Sequence, residues 1–149
     1  MITIIKTDFR NEDFHQLTKA LDEDLIIKDG DEHDFYDQFN GSEGINQALV
    51  VYGYGKPIGC GAFKPFTMHI AEIKRMFVVP EYQGIGIGTK ILEALETWAE
   101  SLRYDACILE TGTRQTDAIA LYKKNGYQII ENYGQYKGVK NSVCFKKKL

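Results

Sequence analysis

Apolar positions along the chain follow two spacings, one typical of strands and one of helices. Short runs rich in β-branched and aromatic residues are typical of strands, and they occupy residues 2–5, 48–54, 58–63, 69–79, 106–109, 127–130 and 142–145. Between these runs, apolar residues recur three or four positions apart, which is the spacing of one face of an α-helix. The resulting order, strand, helix, three strands, helix, strand, helix and two strands, predicts an α/β or α+β fold with a mixed sheet.

Three amphipathic helices follow from the helical spacing. The first buries a stripe from Phe14 to Leu25 and begins at Asn11, a good capping residue. The second buries a stripe from Ile87 to Leu102. The third carries the apolar residues of Ala118 to Tyr122 and ends at Asn125-Gly126, a plausible C-cap.

An acidic, glycine-flanked segment over residues 28–44 has a weaker pattern. A short helix over residues 31–39 would place Phe35, Tyr36 and Phe39 beside several carboxylates. With this segment included, the whole chain of 149 residues is expected to form a single domain, because it has the length of one domain and contains no linker or repeat.

Composition narrows the class of protein. The net charge of −3 does not favour a nucleic-acid partner, no apolar run is long enough to span a membrane, and the N-terminus lacks the pattern of a signal peptide. Cys60, Cys107 and Cys144 are widely spaced in apolar runs, so we expect small buried side chains and no disulfide or zinc site. A cytoplasmic protein without a metal is therefore expected.

Charge is distributed unevenly between the two parts of the chain. Residues 1–43 contain 12 acidic and 4 basic side chains, whereas residues 44–149 contain 9 acidic and 14 basic ones. The net charges of these parts are −8 and +5. Such an asymmetry is able to steer two oppositely charged ligands to different parts of one surface.

A glycine-rich loop lies between the strand that ends at Val79 and the second helix. Its sequence is Gln83-Gly84-Ile85-Gly86-Ile87-Gly88, followed by Thr89. Glycines let the backbone approach a ligand closely, and a helix N-terminus offers free N–H groups and a positive dipole end. Phosphate binding is therefore predicted. A P-loop fits poorly, because Gly88 is followed by Thr89-Lys90 where that motif has Lys-Ser/Thr. A dinucleotide-binding fingerprint also fits poorly, because Thr89 occupies the position of its last glycine.

Two segments resemble the signatures of the GNAT superfamily, the Gcn5-related N-acetyltransferases. Gln83 to Gly88 is similar to the family's cofactor loop, and the second segment, Ala118 to Tyr127, resembles a helix that carries a tyrosine and closes on glycine and an aromatic residue. The close likeness covers about residues 72–130, and the order of elements agrees over the whole chain. The resemblance implies a mixed, mostly antiparallel central sheet of about six to seven strands flanked by about four helices.

The resemblance also implies where the donor substrate, acetyl-CoA, binds. Backbone groups of Met76, Phe77 and Val78, at a bulge before the loop, would bond the pantetheine arm, and one N–H would serve as an oxyanion donor. The loop backbone from Gly84 to Thr89 would hold the pyrophosphate, and Gln115 stands where the family often has an asparagine that contacts the cofactor. The implied cofactor-binding residues are Met76, Phe77, Val78, Gln83, Gly84, Ile85, Gly86, Ile87, Gly88, Thr89 and Gln115.

The implied reaction is direct acyl transfer from the thioester to an amine. Glu72 and Glu110 match positions that carry the general base in different branches of the family, and Glu72 is slightly favoured because it begins a run toward the bulge. Tyr122 matches the general acid that protonates the departing thiolate. Structural roles are the alternatives: ion pairs with Lys74, Arg75 or Arg114 for the two glutamates, and core packing for the tyrosine.

The acceptor is the least defined part of the prediction. Arg75 and Arg114 could hold a carboxylate, so a small primary amine such as an amino acid or a related zwitterion is favoured. A protein N-terminal or lysine acetyltransferase and a non-catalytic acyl-CoA binding or sensing module are the alternatives. No nucleic-acid or membrane partner is expected, and the sequence leaves open whether the chain forms a homodimer.

Overall fold

Seven strands form one sheet in the computed structural model, which describes residues 1–149. The strands are β1 (Ile2–Thr7), β2 (Gln47–Gly53), β3 (Lys56–Pro65), β4 (Ile70–Val78), β5 (Ala106–Gly112), β6 (Gln128–Ile130) and β7 (Ser142–Lys148). Their order across the sheet is β1-β2-β3-β4-β5-β7-β6. All neighbours are antiparallel except β4 and β5. The predicted mixed, mostly antiparallel sheet is confirmed.

Four α-helices flank the sheet. They are α1 (Glu12–Asp29), α2 (His33–Asp37), α3 (Ile87–Ser101) and α4 (Thr116–Lys124). The Asn11 side chain caps α1 by accepting a hydrogen bond of 2.9 Å from the N–H of Phe14, as predicted. Two boundaries differ from the prediction. The short helix is split into a 3₁₀ turn over Gly30–Glu32 and the five residues of α2, and α3 ends before Leu102, which is half-exposed at its C-cap.

Successive side chains of a strand point to opposite faces of the sheet, so the strands contribute to two hydrophobic layers, one on each face. In β2, Leu49 and Val51 pack in the larger core together with α3, whereas Ala48 and Val50 pack against α1 around Phe14. A third, smaller cluster joins the aromatic residues of α2 to β7 and the loop before it. The three cysteines are buried and free, and burial raises the pKa of the Cys60 thiol to about 12.

A β-bulge bends β4 in the middle of the sheet. Lys74 pairs with Ala62 and Phe77 pairs with Cys60, so Arg75 and Met76 both lie opposite Gly61. Arg75 adopts a left-handed backbone conformation with φ of 59°. The bulge therefore begins at Arg75 and changes the direction of the backbone groups at the predicted positions Met76 to Val78.

The two parallel strands separate beyond a short pairing. β4 and β5 are paired only from Ile70 with Ala106 to Glu72 with Ile108. From there β5 stays paired with β7, up to Gly112 with Ser142, while β4 stays paired with β3 alone, up to Val78 with Gly59. The sheet therefore opens into a cleft whose edges are the carboxyl-terminal halves of β4 and β5.

Candidate active site

The cleft between β4 and β5 brings together the titratable side chains that the sequence analysis singled out. It contains about 670 Å³ of space, including open solvent at its mouth. Glu72 comes from β4, Glu110 from β5 and Tyr122 from α4, and all three line it. The helices α1 and α2 close the other side with residues that include Asp29 and Tyr36. Two candidate bases and the candidate acid therefore share one site.

Glu110 has the properties of a general base that works near neutral pH. Burial is the main cause that raises the pKa of its carboxyl to about 7, and the charges of Asp29 and Glu72 add to this effect. The Ser142 hydroxyl opposes it by donating a hydrogen bond of 2.7 Å to the carboxylate. The Tyr36 phenol lies 3.0 Å from the same hydroxyl, so a chain of two hydroxyl groups leads away from Glu110.

Glu72 lies deeper than Glu110 and is held by an aromatic residue. Its side chain is buried and accepts a hydrogen bond of 2.7 Å from the phenol of Tyr133. The Tyr133 ring packs edge-on against Phe66 and Tyr136. Neither Glu72 nor Glu110 forms the ion pair that was considered as a structural alternative.

Tyr122 is buried in the main core but keeps its hydroxyl free of protein partners. Its ring packs against Tyr127 and Phe145, and no hydrogen bond joins its phenol oxygen to another residue, although it lines the cleft. Burial, followed by the negative charge of Glu110, raises the pKa of the phenol. Tyr122 therefore stays protonated at neutral pH and is able to donate its proton.

The first turn of α3 presents a row of unpaired backbone N–H groups. From Gly84 to Thr89, no N–H has an acceptor within the protein, and the first bonded amide of the helix is Lys90, which donates to Gly86 over 3.1 Å. Gly84 and Gly86 have φ angles of 79° and 90°, which a glycine adopts without strain. Six free donors at a helix N-terminus are available to an anion.

The other residues of the loop have structural roles. Ile87 is buried in the main core, whereas Ile85 is exposed at the tip. A Cβ at Gly88 would lie 3.0 Å from the Leu121 side chain, so this glycine allows α3 and α4 to pack closely. Thr89 accepts a hydrogen bond of 3.1 Å from Asn125 at the end of α4. Ile87 therefore holds the loop to the main core, and Gly88 and Thr89 hold it to α4.

Backbone groups at the end of β4 point alternately toward β3 and into the cleft. The N–H of Val79 donates to Ile58 of β3 over 2.9 Å, and neighbouring residues of a strand point their polar groups to opposite edges. The groups of Val78 and Met76 therefore face the cleft, and those of Phe77 face β3. The Gln83 side chain donates to the Val78 carbonyl over 2.8 Å, which ties the loop to the strand.

Gln115 lies where β5 passes into α4. It lines the cleft, its N–H donates to Gly112 over 3.0 Å, and its side-chain amide forms no cap for α4. The amide is therefore free to bind a ligand.

The two arginines considered for a substrate carboxylate are both engaged elsewhere. Arg75 is almost fully buried and donates to Asp22 over 2.7 Å and to the Thr18 carbonyl over 3.0 Å. Arg114 donates to the main-chain carbonyl of Asp29 over 3.2 Å. Lys74 is the remaining basic side chain of the cleft, and it donates to the Phe39 carbonyl over 2.9 Å. Burial lowers the pKa of Lys74.

Three residues of the site carry no signal that sequence reasoning could use. Ser142 reaches Glu110 only because β7 lies beside β5. Asp29 is one acid among many in its segment, and Tyr133 lies 61 residues from Glu72 in sequence. Of the three aromatic residues predicted to lie beside carboxylates, Tyr36 lines the cleft with Asp29, and Phe35 and Phe39 pack in the smaller cluster.

Comparison with known proteins places the chain in a family. The sequence model of the acetyltransferase (GNAT) family matches residues 10–127, which include α1, the bulge, the glycine loop, α3 and α4. The chain belongs to the GNAT family of acetyltransferases. The predicted fold and family are confirmed.

Individual relatives agree with this assignment. The chain is 40% identical over 89 residues to an IAA acetyltransferase of Azospirillum brasilense, an alignment that covers 59% of this chain and 58% of that protein. The chain spans about half the length of the curated relatives it matches. A candidate acyl-CoA N-acyltransferase from Klebsiella pneumoniae is 32% identical, with a TM-score of 0.83 over 100% of this chain and 98% of that one.

A more distant structure shares the fold. A GNAT family acetyltransferase from Elizabethkingia anophelis, solved with acetyl-CoA bound, is 20% identical, with a TM-score of 0.71 over 99% of this chain and 98% of that one. In the present chain, no group of three or more His, Cys, Asp or Glu side chains is placed to hold a metal ion. None of its helices combines the length and apolar character that a membrane crossing requires.

Proposed function

We propose that the protein transfers the acetyl group of acetyl-CoA directly to the primary amine of a small molecule. The observation that carries this proposal is the shared cleft, in which Glu110 and Tyr122 lie with Met76 of the splayed β4. The free N–H row at the start of α3 follows this strand along the chain. Family membership supports the reaction type. Glu110 is proposed as the general base and Tyr122 as the general acid.

The donor substrate is proposed to lie along the open edge of β4. The pyrophosphate would accept hydrogen bonds from the N–H groups of Gly84 to Thr89, where the helix dipole favours negative charge. The exposed side chains of Lys90, Lys123 and Lys124 add positive charge around α3 and α4. The pantetheine arm would pair with the cleft-facing backbone groups of Met76 and Val78, and the amide of Gln115 is a further donor in reach of the cleft.

The proposed chemistry uses three proton transfers. The ammonium of the acceptor loses a proton to the Glu110 carboxylate, and the free amine attacks the thioester carbon. A C–N bond forms while the carbonyl oxygen gains negative charge, which a backbone N–H of the bulge stabilises. The C–S bond then breaks, the departing thiolate takes the phenol proton of Tyr122, and the surplus proton of the attacking nitrogen returns to the phenol oxygen. The products are a neutral amide and free CoA thiol, and the proton on Glu110 is released to solvent.

Glu110 is preferred to Glu72 as the base for two reasons. The pKa of Glu110 is raised to about 7, so its carboxylate both exists and accepts protons at neutral pH. The Glu72 carboxylate is bonded by Tyr133 and fully buried. Glu72 would instead contribute negative charge that favours a cationic acceptor. The earlier preference for Glu72 is thus reversed in this proposal.

The acceptor is proposed to be a cationic amine small enough to enter the cleft. Three carboxylates line the cleft, those of Asp29, Glu72 and Glu110. Of its basic side chains, Arg75 is paired with Asp22, so only Lys74 is not paired with an acid. Because Arg75 is paired in this way and Arg114 does not line the cleft, neither guanidinium is placed to hold a substrate carboxylate there. A simple amine therefore fits better than the amino acid favoured from the sequence.

A thiol-release assay tests the proposal. The purified protein is incubated with acetyl-CoA and a panel of primary amines, amino acids and lysine peptides, and free thiol is measured. Thiol release with small amines supports the proposal. Release only with peptides supports a protein acetyltransferase, and acetyl-CoA binding by calorimetry without release for any amine supports a sensing module.

A further inference from the structure

One carboxylate of the cleft has no partner within the protein. The Asp29 side chain is only 6% exposed, yet it accepts no hydrogen bond, and its Oδ2 is completely shielded from solvent. Burial raises the pKa of this carboxyl. An unpartnered buried carboxylate is destabilising, and because Oδ2 is sealed from solvent, Oδ1 is the oxygen at which a ligand could supply a donor.

The position of Asp29 in α1 adds to this strain. It is the last residue of the helix, and its backbone is followed by Gly30 at the C-cap. The C-terminal end of a helix carries partial negative charge, so a carboxylate there is repelled and a cation is favoured. Asp29 therefore lies in a place where a cationic ligand gains from both the side chain and the helix end.

His33 and Arg114 oppose the rise in the pKa of Asp29, but neither donates a hydrogen bond to its carboxylate. The Nδ1 of His33 is 3.8 Å from Oδ2, beyond hydrogen-bond distance, and has no partner of its own. Arg114 donates to the main-chain carbonyl of Asp29 and not to its carboxylate. Glu32 is bonded to Asn141 and carries a negative charge that raises the pKa of Asp29 further. His33 therefore faces Oδ2 from a distance, and no protein donor reaches Oδ1.

Asp29 lies along the cleft from the proposed base. Its Oδ1 is 4.0 Å from the Cβ position of Gly112, which follows Glu110 by two residues in β5. Residues i and i+2 of a strand share a face and are about 6–7 Å apart. The carboxylates of Glu110 and Asp29 therefore lie one after the other along the same side of the cleft.

We propose that Asp29 binds a second cationic group of the acceptor, so that the preferred substrates are short aliphatic diamines. This inference rests on the proposed function, because it assigns the acceptor of the same site. One amine gives its proton to Glu110 and is acetylated, while the other stays protonated as an ammonium and donates to the Asp29 carboxylate. The spacing of the two carboxylates corresponds to diamines with a few methylene groups between the nitrogens.

The experiment compares matched acceptors in the thiol-release assay. Diamines of three, four and five carbons are measured against n-alkylamines of the same lengths. At least one diamine is expected to show a KM about tenfold lower than its monoamine, as for one charge-assisted hydrogen bond. In Asp29→Asn the KM values for a diamine and for its matched monoamine are expected to become equal, because the second ammonium loses its partner.

Two controls separate this inference from the proposed function. Asp34→Asn removes an equal charge from an exposed position of α2 and should leave the ratio of diamine to monoamine KM unchanged. Calorimetric binding of 1,4-diaminobutane to the wild type and to Asp29→Asn tests the site without turnover. Thiol release with equal KM for diamines and monoamines, or equal binding to both proteins, overturns the diamine site alone. Absence of release with every amine overturns the proposed function.

Discussion

The Ser142 hydroxyl donates a hydrogen bond of 2.7 Å to the Glu110 carboxylate across the pairing of β7 with β5. The same hydroxyl lies 3.0 Å from the phenol of Tyr36. A hydrogen bond to the ionised form of an acid lowers its pKa. Ser142 therefore limits how far burial raises the pKa of Glu110.

Replacing Ser142 by alanine is expected to raise the pKa of Glu110 above its value of about 7. Because the base must be ionised to accept a proton, kcat/KM rises with pH through this pKa. The acidic limb of the profile in Ser142→Ala should therefore move to higher pH, with the plateau little changed. Tyr36→Phe keeps the Ser142 donor and should move the limb less. A limb that stays in place in Ser142→Ala would show that Glu110 does not control it.

Glu110→Gln is expected to lose activity and gain stability. Removing a general base reduces kcat by about 10²- to 10⁴-fold. Glu72→Gln serves as the matched variant on the neighbouring strand, and it should reduce kcat less and keep the acidic limb. If Glu72→Gln instead abolishes the limb and Glu110→Gln preserves it, the two carboxylates have the opposite roles.

The stability gain of Glu110→Gln depends on pH in a defined direction. The pKa of Glu110 is raised on folding from 4.5 to about 7, so the native state binds the proton more tightly than the unfolded state. The stabilisation from this proton is complete below pH 4.5 and is lost as the pH rises through about 7. Glutamine does not ionise, so the advantage of the variant in unfolding free energy should grow over this range by on the order of 2 kcal/mol. Denaturant titrations at pH 5 and pH 8 measure it, and an equal difference at both would contradict the raised pKa.

The glycine loop and the helices α3 and α4 were predictable because their signals are local. Gln83 to Gly88 lies directly before an amphipathic stripe, so the sequence places free N–H groups at a helix start. The order β5-β7-β6 is different, because β7 inserts between two strands that precede it in the chain. Ser142 lies 32 residues from Glu110 in sequence, and no local pattern joins them. The environment of each carboxylate follows from this long-range pairing.

The arginines show a second limit of sequence reasoning. Arg75 and Arg114 have the chemistry of a carboxylate clamp, and only the structure shows what occupies them. Arg75 lies at the bulge with a left-handed backbone, which turns its side chain under α1 to Asp22. A bulge that shifts the register of β4 by one residue is not encoded in its hydrophobic pattern, so the direction of this side chain was not predictable.

Gly86→Ala is expected to weaken binding of acetyl-CoA. Gly86 has a φ of 90° with open space around its Cβ position, so alanine introduces backbone strain of about 1 kcal/mol without a clash. Relief of that strain would turn the neighbouring N–H groups away from the proposed phosphate, and the KM for acetyl-CoA should rise about tenfold. Gly55→Ala is the matched control, because Gly55 has a φ of 78° and equally open space in the β2–β3 turn. Both variants should lose similar stability, and an equal KM for acetyl-CoA in the two would contradict a phosphate site in the loop.

Tyr122→Phe separates a chemical role of this tyrosine from its packing. The phenol oxygen has no protein partner, and the ring packs against Tyr127 and Phe145, contacts that phenylalanine preserves. The unfolding free energy should therefore change by less than about 0.5 kcal/mol, and the calorimetric affinity for CoA should stay the same, while kcat falls by about 10²-fold or more. Tyr127→Phe is the matched control in the same cluster, because it loses a hydrogen bond of 2.9 Å to Glu96. That variant should lose about 1 kcal/mol of stability and keep its kcat, so an unchanged kcat in Tyr122→Phe would restrict Tyr122 to the core.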